Sequence, residues 1–243
     1  MIVTASHNPK EYNGLKMTFN RQSLTEEQIK TVKELTEEIL KNDNGYRQVI
    51  TGYVKKYDIV ASFFLIADNI NDESEKIVKE CIAHGCEICN HAKTHSHMQT
   101  FTADEVREEI EYTDRAIEKI TGYKPRFFRP PYIDVSQTMY DTINLPFICG
   151  IHGEDWEDSI LAKERAEMIL SQACDGSIIL MHDFTDNDET VKALDIVIPE
   201  LLAQGYEFVN ISDLFKDGGV EPTVHSGIVY SNIHDTEPRE PLC

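Results

Sequence analysis

Three histidines lie within the segment ICNHAKTHSHM, residues 88–98. His91 and His95 stand four residues apart, and His97 follows two residues later. Neutral imidazole is a common ligand of zinc and related ions, and this spacing lets one short segment present two nitrogens to one ion. A chain with nine histidines also contains such pairs by chance. The spacing alone therefore leaves two interpretations open, a metal site and an accidental pair.

The six cysteines of the chain are irregularly spaced and do not resemble a disulfide framework. Cys86 and Cys89 form a C-x-x-C motif, and Cys81 precedes it by five residues. Such a motif can serve a redox or a metal-binding role. However, no second cysteine pair completes a four-sulfur site. The spacing therefore favours small, buried side chains over a redox or metal centre.

Bulk composition excludes several classes of protein. A length of 243 residues with 41% hydrophobic content suits one sizeable domain with or without an appendage. The net charge of −20 disfavours nucleic acid, whose phosphates it would repel. No apolar run reaches the roughly 20 residues of a membrane span. The first residues show no signal peptide, so the sequence predicts a cytoplasmic location.

Hydrophobic periodicity predicts alternating strands and helices. Capping boxes at Ser23–Glu26 and Thr102–Glu105 predict helices over 24–41 and from 103 to a stop at Gly122. Further helices are predicted at 73–84, 161–173 and 188–204. The predicted strands are DIVASFFLI (58–66), CEIC (86–89), RFFR (126–129), PFICG (146–150), SIILMH (177–182) and YEFVNI (206–211).

This alternation predicts a parallel sheet or barrel surrounded by helices. In such folds the chemistry gathers at the carboxyl ends of the strands. Four polar residues lie at or just beyond the carboxyl ends of predicted strands and are therefore candidate site residues: His91, Arg129, Asp155 and His182. From residue 217 the periodicity ends, and we predict an irregular tail over 217–243, draped over the surface or disordered.

From about residue 53 to 215 the chain resembles the polysaccharide deacetylase family, which has the NodB homology domain. The resemblance rests on four motifs in the family's order. They are HGCEICNHAKTH (84–95), RPPY (129–132), GEDW (153–156) and LMH (180–182). The family implies a distorted (β/α) barrel, here lacking its usual first strand. It also implies metal-dependent hydrolysis of N- or O-acetyl groups on a polysaccharide, usually outside the cell.

The resemblance also implies roles for individual residues. His91 and His95 match the family's metal-binding histidines, for which zinc is the expected ion and cobalt the alternative. A divalent metal polarises the acetyl carbonyl and lowers the pKa of a bound water. Tyr132 matches the residue whose backbone N–H stabilises the oxyanion, and His182 matches the general acid.

Three further residues match supporting positions of the family's site. Arg129 matches the residue that orients the catalytic base. Asp155 and Trp156 match groups that tune the acid and form a wall of the pocket. From the residue types alone, Arg129 and Asp155 could be surface charges, and Trp156 could belong to the core.

Several positions depart from the family pattern. Ala92 replaces a hydroxyl residue that would steady the histidine loop. His152 replaces an aspartate, and Ile133 stands where a glycine is common. The first motif, normally a strand followed by Asp-Asp-Gly, is missing, because no two aspartates are adjacent in this chain. The nearest candidate is DNGY (43–46), which would make Asp43 the base, although NDNG could equally end the preceding helix.

The first residues resemble a different family. VTASHNPKEYNGLKM is similar to the phosphoserine loop of the phosphohexomutases, in which Ser6 would match the phosphoryl-carrying serine. We therefore divide the chain into a phosphohexomutase-like fragment (1–42), a deacetylase-like domain (43–216) and the tail. The predicted function is a polysaccharide deacetylase impaired by its degenerate first motif, acting on an acetylated carbohydrate. The alternatives are a phosphohexomutase fragment and a non-catalytic carbohydrate-binding domain.

Overall fold

The computed structural model describes residues 2–5, 54, 56–183 and 187–240. Several predicted features lie outside the described residues and stay predictions. These are the helix over 24–41, the candidate base Asp43 and the serine of the mutase-like loop, Ser6. Among the described residues, no helix is both long enough and apolar enough to cross a membrane.

Short strands and longer helices alternate along the described chain. The strands are β1 (Ile2–Ala5), β2 (Ser62–Leu65), β3 (Glu87–Asn90), β4 (Phe147–Ile148), β5 (Leu180–Asp183) and β6 (Val229–Tyr230). The helices are α1 (Asp72–Ala83), α2 (Ala103–Thr121), α3 (Gln137–Thr142), α4 (Ala162–Gln172), α5 (Asp188–Ala203) and α6 (Ile211–Asp217). Three-residue 3-10 helices lie at Ala67–Asn69, Met98–Thr100 and Pro131–Ile133.

The strands form a distorted parallel barrel, as predicted. One sheet has the order β3-β2-β1-β5, and β4 pairs with β6. All of these pairings are parallel. Isolated parallel bridges join the two sheets into a ring: Asn90 with Phe128, Phe128 with Phe147, and Ile151 with Ile179.

The position between β2 and β5 is filled by β1, which comes from the phosphohexomutase-like segment. Ile2 lies opposite Ser62 on one side, and Thr4 lies opposite His182 on the other. The deacetylase-like region was expected to lack a strand here, which would leave two sheet edges with unpaired backbone groups. Residues 2–5 instead pair with both neighbours, so these four residues belong to the barrel sheet.

Helix α2 shows how local sequence sets an element that borders the site. The Thr102 side chain accepts a hydrogen bond from the Glu105 N–H, and the Glu105 carboxylate accepts one from the Thr102 N–H. The helix ends at Gly122, whose φ of 81° is the left-handed conformation that glycine adopts readily. Both ends agree with the prediction from the capping box and the glycine.

The prediction of a strand at YEFVNI (206–211) is wrong. Residues 206–210 form no strand, and Ile211 begins α6. Side chains from the barrel strands accept the first N–H groups of this helix. The Ile211 N–H donates to Ser62 Oγ at 2.9 Å, and the Ser212 N–H donates to Glu87 Oε2 at 3.2 Å. These bonds satisfy the backbone donors of the helix start, so apolar residues here are buried without entering the sheet.

The carboxyl-terminal tail also differs from the prediction, because it contributes a strand to the barrel. The Cys149 N–H donates to the Tyr230 carbonyl at 2.8 Å, and the Ile178 N–H donates to the Ser231 carbonyl at 2.9 Å. Tyr230 and Ile233 are buried in the core beside these bonds. The segment around β6 therefore fills the space between β4 and the start of β5.

Candidate active site

His91 follows directly after β3 and is completely buried. Its Nδ1 lies 2.7 Å from the carbonyl oxygen of Arg129, so Nδ1 carries the proton and donates it to that carbonyl. The other ring nitrogen, Nε2, is buried and has no hydrogen-bond partner among the described residues. Burial also holds the pKa of His91 well below its usual value, so the imidazole is neutral. Its Nε2 lone pair is therefore suited to bind a cation.

His95, the second histidine of the predicted pair, lies beside His91. The two ring centroids are 4.7 Å apart and the rings are nearly perpendicular. His95 has a φ of 58°, and Ala92 has a φ of 63°. Left-handed conformations of this kind are unusual for residues other than glycine. The loop backbone is therefore held in an uncommon shape that brings the two imidazoles together.

His182 lies in the carboxyl-terminal half of β5, between a carboxylate and a guanidinium. Its Nδ1 donates to Asp155 Oδ1 at 2.8 Å, and its backbone N–H donates to Asp155 Oδ2 at 2.6 Å. Arg129 Nη2 donates to His182 Nε2 at 2.6 Å. Burial lowers the pKa of His182; Asp155 opposes this effect, Arg129 adds to it, and the net pKa is below the usual value. The ring is thus neutral, with its proton on Nδ1.

Asp155 is completely buried and receives several hydrogen bonds. Besides the two from His182, Thr190 Oγ1 donates to Asp155 Oδ2 at 3.0 Å. Burial alone would raise the pKa of this carboxyl, but the interactions with His182 and the hydrogen bond from Thr190 together outweigh burial and lower it. Asp155 is therefore an ionised carboxylate that holds the imidazole.

Behind Asp155 lies a second buried cation, Arg165 on α4, which is only 1% exposed. Its Nη1 donates to Thr190 Oγ1 at 2.8 Å and to Asn187 Oδ1 at 2.5 Å. Asn187 Nδ2 in turn donates to the Asp155 carbonyl at 3.1 Å. Sequence reasoning missed Arg165, Thr190 and Asn187, because nothing in their spacing connects them with the strand ends.

Arg129 follows the bridged residue Phe128 and is 2% exposed. Desolvation lowers its pKa to about 10, so the guanidinium remains charged at neutral pH. Its carbonyl accepts from His91 and its guanidinium donates to His182. Arg129 therefore connects the histidine pair to the His182–Asp155 pair.

Two aromatic residues border the same region and are partly exposed. Tyr132 is 45% exposed and has a φ of 57°. Its ring stacks on His97 with centroids 3.8 Å apart and meets the His95 ring edge-on at 4.7 Å. Trp156 is 43% exposed, and its ring meets the His182 ring edge-on at 5.7 Å. Both rings lie beside histidines of the site, where they can contact a bound ligand.

His97 was part of the histidine segment but received no predicted role. Its Nδ1 donates to Asp134 Oδ2 at 2.5 Å, while its ring stacks on Tyr132. Of the positions that depart from the family pattern, Ile133 has a φ of 56°. That conformation explains why a glycine is common there, since a β-branched residue is strained in the left-handed region.

The C-x-x-C cysteines are ordinary core residues, as the spacing favoured. Cys81, Cys86 and Cys89 are buried and free of disulfides. Within the described ranges, no group of three or more histidine, cysteine, aspartate or glutamate side chains is arranged to hold a metal. The structure thus brings together the two predicted metal ligands, His91 and His95, without a third such side chain among the described residues.

The fold and the site define a class of protein. It is a parallel barrel in which histidines, an arginine and a buried aspartate meet at the carboxyl ends of the strands. Comparison with known proteins identifies the family within this class. A model described as Polysaccharide deacetylase matches residues 37–145. A second model, Phosphoglucomutase/phosphomannomutase, alpha/beta/alpha domain I, matches residues 1–43.

Among curated proteins, a bifunctional xylanase/deacetylase of Pseudobutyrivibrio xylanivorans is 45% identical over 180 residues, which are 74% of this chain and 30% of that protein. The chain spans about a third of the length of the first curated relatives it matches.

Two solved structures are similar to the chain. The Xyl-CE4 domain of a multidomain xylanase from the hindgut metagenome of Trinervitermes trinervoides is 40% identical, with a TM-score of 0.74 over 77% of this chain and 91% of that one. A family 4 acetyl xylan esterase from Clostridium thermocellum, in complex with a cobalt ion, is 29% identical, with a TM-score of 0.73 over 96% and 98%. The chain belongs to the polysaccharide deacetylase family.

Proposed function

We propose that this chain removes acetyl groups from a polysaccharide by metal-assisted hydrolysis. Family membership supports N- or O-acetyl groups as the groups that are hydrolysed. The names of the relatives narrow the first substrate to test, because a xylanase/deacetylase and an acetyl xylan esterase are among them. Acetylated xylan is therefore the proposed substrate, with N-acetylated chito-oligosaccharide as the alternative.

The observation that carries the proposal is the buried Nε2 of His91, which has no hydrogen-bond partner among the residues that the structure describes. A polar atom in such a position is costly unless something binds it. A divalent cation fits, because the proton is held on Nδ1 and the His95 ring lies 4.7 Å away. His91 and His95 would hold the ion, with zinc as the first candidate and cobalt as the second. When bound, the metal supplies a Lewis acid that polarises the acetyl carbonyl and acidifies water.

The His182–Asp155 pair is suited to proton transfer. Asp155 keeps the proton on Nδ1, so Nε2 is the atom that takes up a second proton from solvent before the reaction and donates it to the departing oxygen or nitrogen of the sugar. Arg129 donates to the same nitrogen at 2.6 Å and would have to give way when the leaving group arrives. His182 therefore acts as the general acid, and Arg129 holds its ring in place before the substrate binds.

The remaining predicted roles concern the bound acetyl group. We assign the Tyr132 backbone N–H as the donor that stabilises negative charge on the former carbonyl oxygen. The exposed rings of Tyr132 and Trp156 would contact the sugar and shield the reacting carbonyl from bulk solvent, leaving room for the attacking water. Asp43 stays the candidate base on the resemblance alone. Without an Asp-Asp pair we expect slow turnover, because losing a positioned base typically costs about two to four powers of ten in rate.

The test combines metal content with acetate release. We expect the purified chain to bind one zinc or cobalt ion and to release acetate slowly from acetylated xylan. The double variant His91→Ala with His95→Ala should lose the metal, and His182→Ala should keep it but lose turnover. His234→Ala is the matched control, since this histidine is exposed near the carboxyl terminus. Unchanged metal content in the double variant would place the site elsewhere, and retained turnover in His182→Ala would exclude it as the acid.

A further inference from the structure

The loop that carries the metal histidines lacks the hydroxyl residue that would steady it, because Ala92 stands in that position. Two of its residues, Ala92 and His95, nevertheless have positive φ angles. Residues with a Cβ keep this conformation only where surrounding contacts enforce it. The loop must therefore be held by groups other than the missing hydroxyl.

The side chain that holds the second half of the loop is Glu109, which is 7% exposed on α2; the Asp68 N–H also donates to the Lys93 carbonyl at 3.0 Å. Its Oε2 accepts the N–H groups of Lys93 and Thr94 at 2.8 and 2.9 Å. Its Oε1 accepts the Thr94 hydroxyl at 2.9 Å. Hydrogen bonds to an ionised carboxylate are stronger than neutral ones, and the two residues bound here immediately precede His95. Glu109 thus fixes the backbone that delivers the His95 ring.

The first half of the loop has separate support. Asn90 Oδ1 accepts the Ala92 N–H at 2.8 Å, and the Ala92 carbonyl accepts the Ala67 N–H at 3.1 Å. Asn90 also donates to the Ile110 carbonyl on α2 at 3.0 Å. The two histidines are therefore held through different side chains: Asn90 acts next to His91, and Glu109 acts next to His95.

We propose that Glu109 is a positioning residue of the metal site, which sets His95 relative to His91 and thereby determines metal affinity. The inference rests on the proposed function, since it assumes that these histidines bind the metal. Glu109 lies on a helix, eighteen positions beyond His91. In this proposal it steadies the histidine loop in place of the missing hydroxyl. Substitutions of groups that orient metal ligands typically weaken metal binding about 10- to 100-fold.

The experiment measures the dissociation constant of cobalt for the metal-free full chain by titration, with the absorption spectrum recorded at saturation. We expect Glu109→Gln to weaken cobalt binding at least about tenfold, because the amide replaces one of the accepting oxygens with a donor. Glu109→Ala should weaken it more. The absorption spectrum at saturation should also change, because a displaced His95 alters the geometry of the metal ligands. If Glu109 had a purely structural role, this spectrum would stay the same.

Glu108→Gln is the matched control. It removes the same charge from the adjacent residue, whose side chain is 69% exposed and pairs with the ammonium of Lys93 at 3.1 Å. We expect the wild-type dissociation constant for this variant. Equal weakening in Glu108→Gln and Glu109→Gln would show a general charge effect and overturn the proposal.

The outcomes separate this inference from the proposed function. If the wild-type chain binds cobalt and both Glu109 variants bind it equally well, the positioning role is wrong and the metal site stands. If the wild-type chain binds no cobalt, the proposed function fails and the inference fails with it. If Glu109→Ala does not fold, Glu109→Gln decides, because it keeps the size of the side chain and one accepting oxygen.

Discussion

Replacing Asp155 by asparagine tests whether catalysis depends on the proton held at Nδ1 of His182. In the structure, Asp155 Oδ1 accepts that proton at 2.8 Å, and Oδ2 accepts the His182 backbone N–H at 2.6 Å. The Thr190 hydroxyl donates to the same Oδ2. All three neighbours are donors, so the site requires a group that only accepts.

An asparagine has one accepting oxygen where the aspartate has two. If its oxygen keeps the backbone N–H and the Thr190 hydroxyl, its amide faces Nδ1 of His182 and favours the other tautomer. The ring proton would then lie on Nε2, where Arg129 already donates at 2.6 Å. A wrong tautomer of a catalytic histidine costs about 10⁴ in kcat in a serine protease triad. We therefore expect a loss of about 10³ to 10⁴, or roughly 4–5 kcal/mol in the barrier.

The assay is acetate release from acetylated xylan at saturating cobalt, with the ring nitrogen signals of His182 followed by NMR. We also expect a fall of about 1–3 kcal/mol in the free energy of unfolding, because one buried donor is left without an acceptor. Asp158→Asn is the control, since Asp158 is exposed on the same loop. A kcat within about threefold of wild type together with a changed tautomer would refute the reasoning, because the tautomer would then not matter.

Three further predictions concern the support of the site and the barrel. Thr190→Val should lower the free energy of unfolding by about 1–3 kcal/mol and reduce kcat, whereas Thr190→Ser should restore both by keeping the hydroxyl between Arg165 and Asp155. Burial depresses the pKa of His91 and of His182 in the folded state. Their contribution to the free energy of unfolding should therefore be complete above about pH 6.5 and be lost as pH falls through the folded pKa values. Thermal unfolding followed between pH 8 and pH 4 measures this loss of stability. Val3→Pro should destabilise the whole barrel by about 3 kcal/mol, since proline cannot donate within a central strand; no change would mean that β1 lies outside the folded unit.

The elements that sequence predicted well are those set by local chemistry. Helix α2 was predicted at both ends, because the Thr102–Glu105 capping box and Gly122 act within a few residues. YEFVNI (206–211) was predicted wrongly, because its apolar residues are buried outside the sheet. The backbone groups at the start of α6 bond to side chains of β2 and β3, and only the folded structure brings those side chains there.

The candidate site shows the same division. Its histidines and Asp155 were found because strand ends and motif order mark them in the sequence. Glu109 and Thr190 were not found, because their roles depend on contacts that are remote in the chain: Thr190 bonds to a carboxylate 35 residues away, and Glu109 reaches back 15 and 16 residues. Neither residue type is unusual on an amphipathic helix.

Strand β1 belongs to the phosphohexomutase-like segment but lies within the deacetylase-like barrel. At this strand, what the fold needs differs from what catalysis needs. A parallel strand between β2 and β5 needs backbone pairing on both sides, which Ile2–Ala5 supplies regardless of its origin. The chemistry of the family's first strand depends on the residues that follow it, and here the sequence after Ala5 reads Ser6-His7-Asn8 instead of two aspartates. A strand from another family can therefore close the barrel without supplying the carboxylate base. We accordingly expect a chain that folds and binds metal but whose turnover is limited by proton transfer from water.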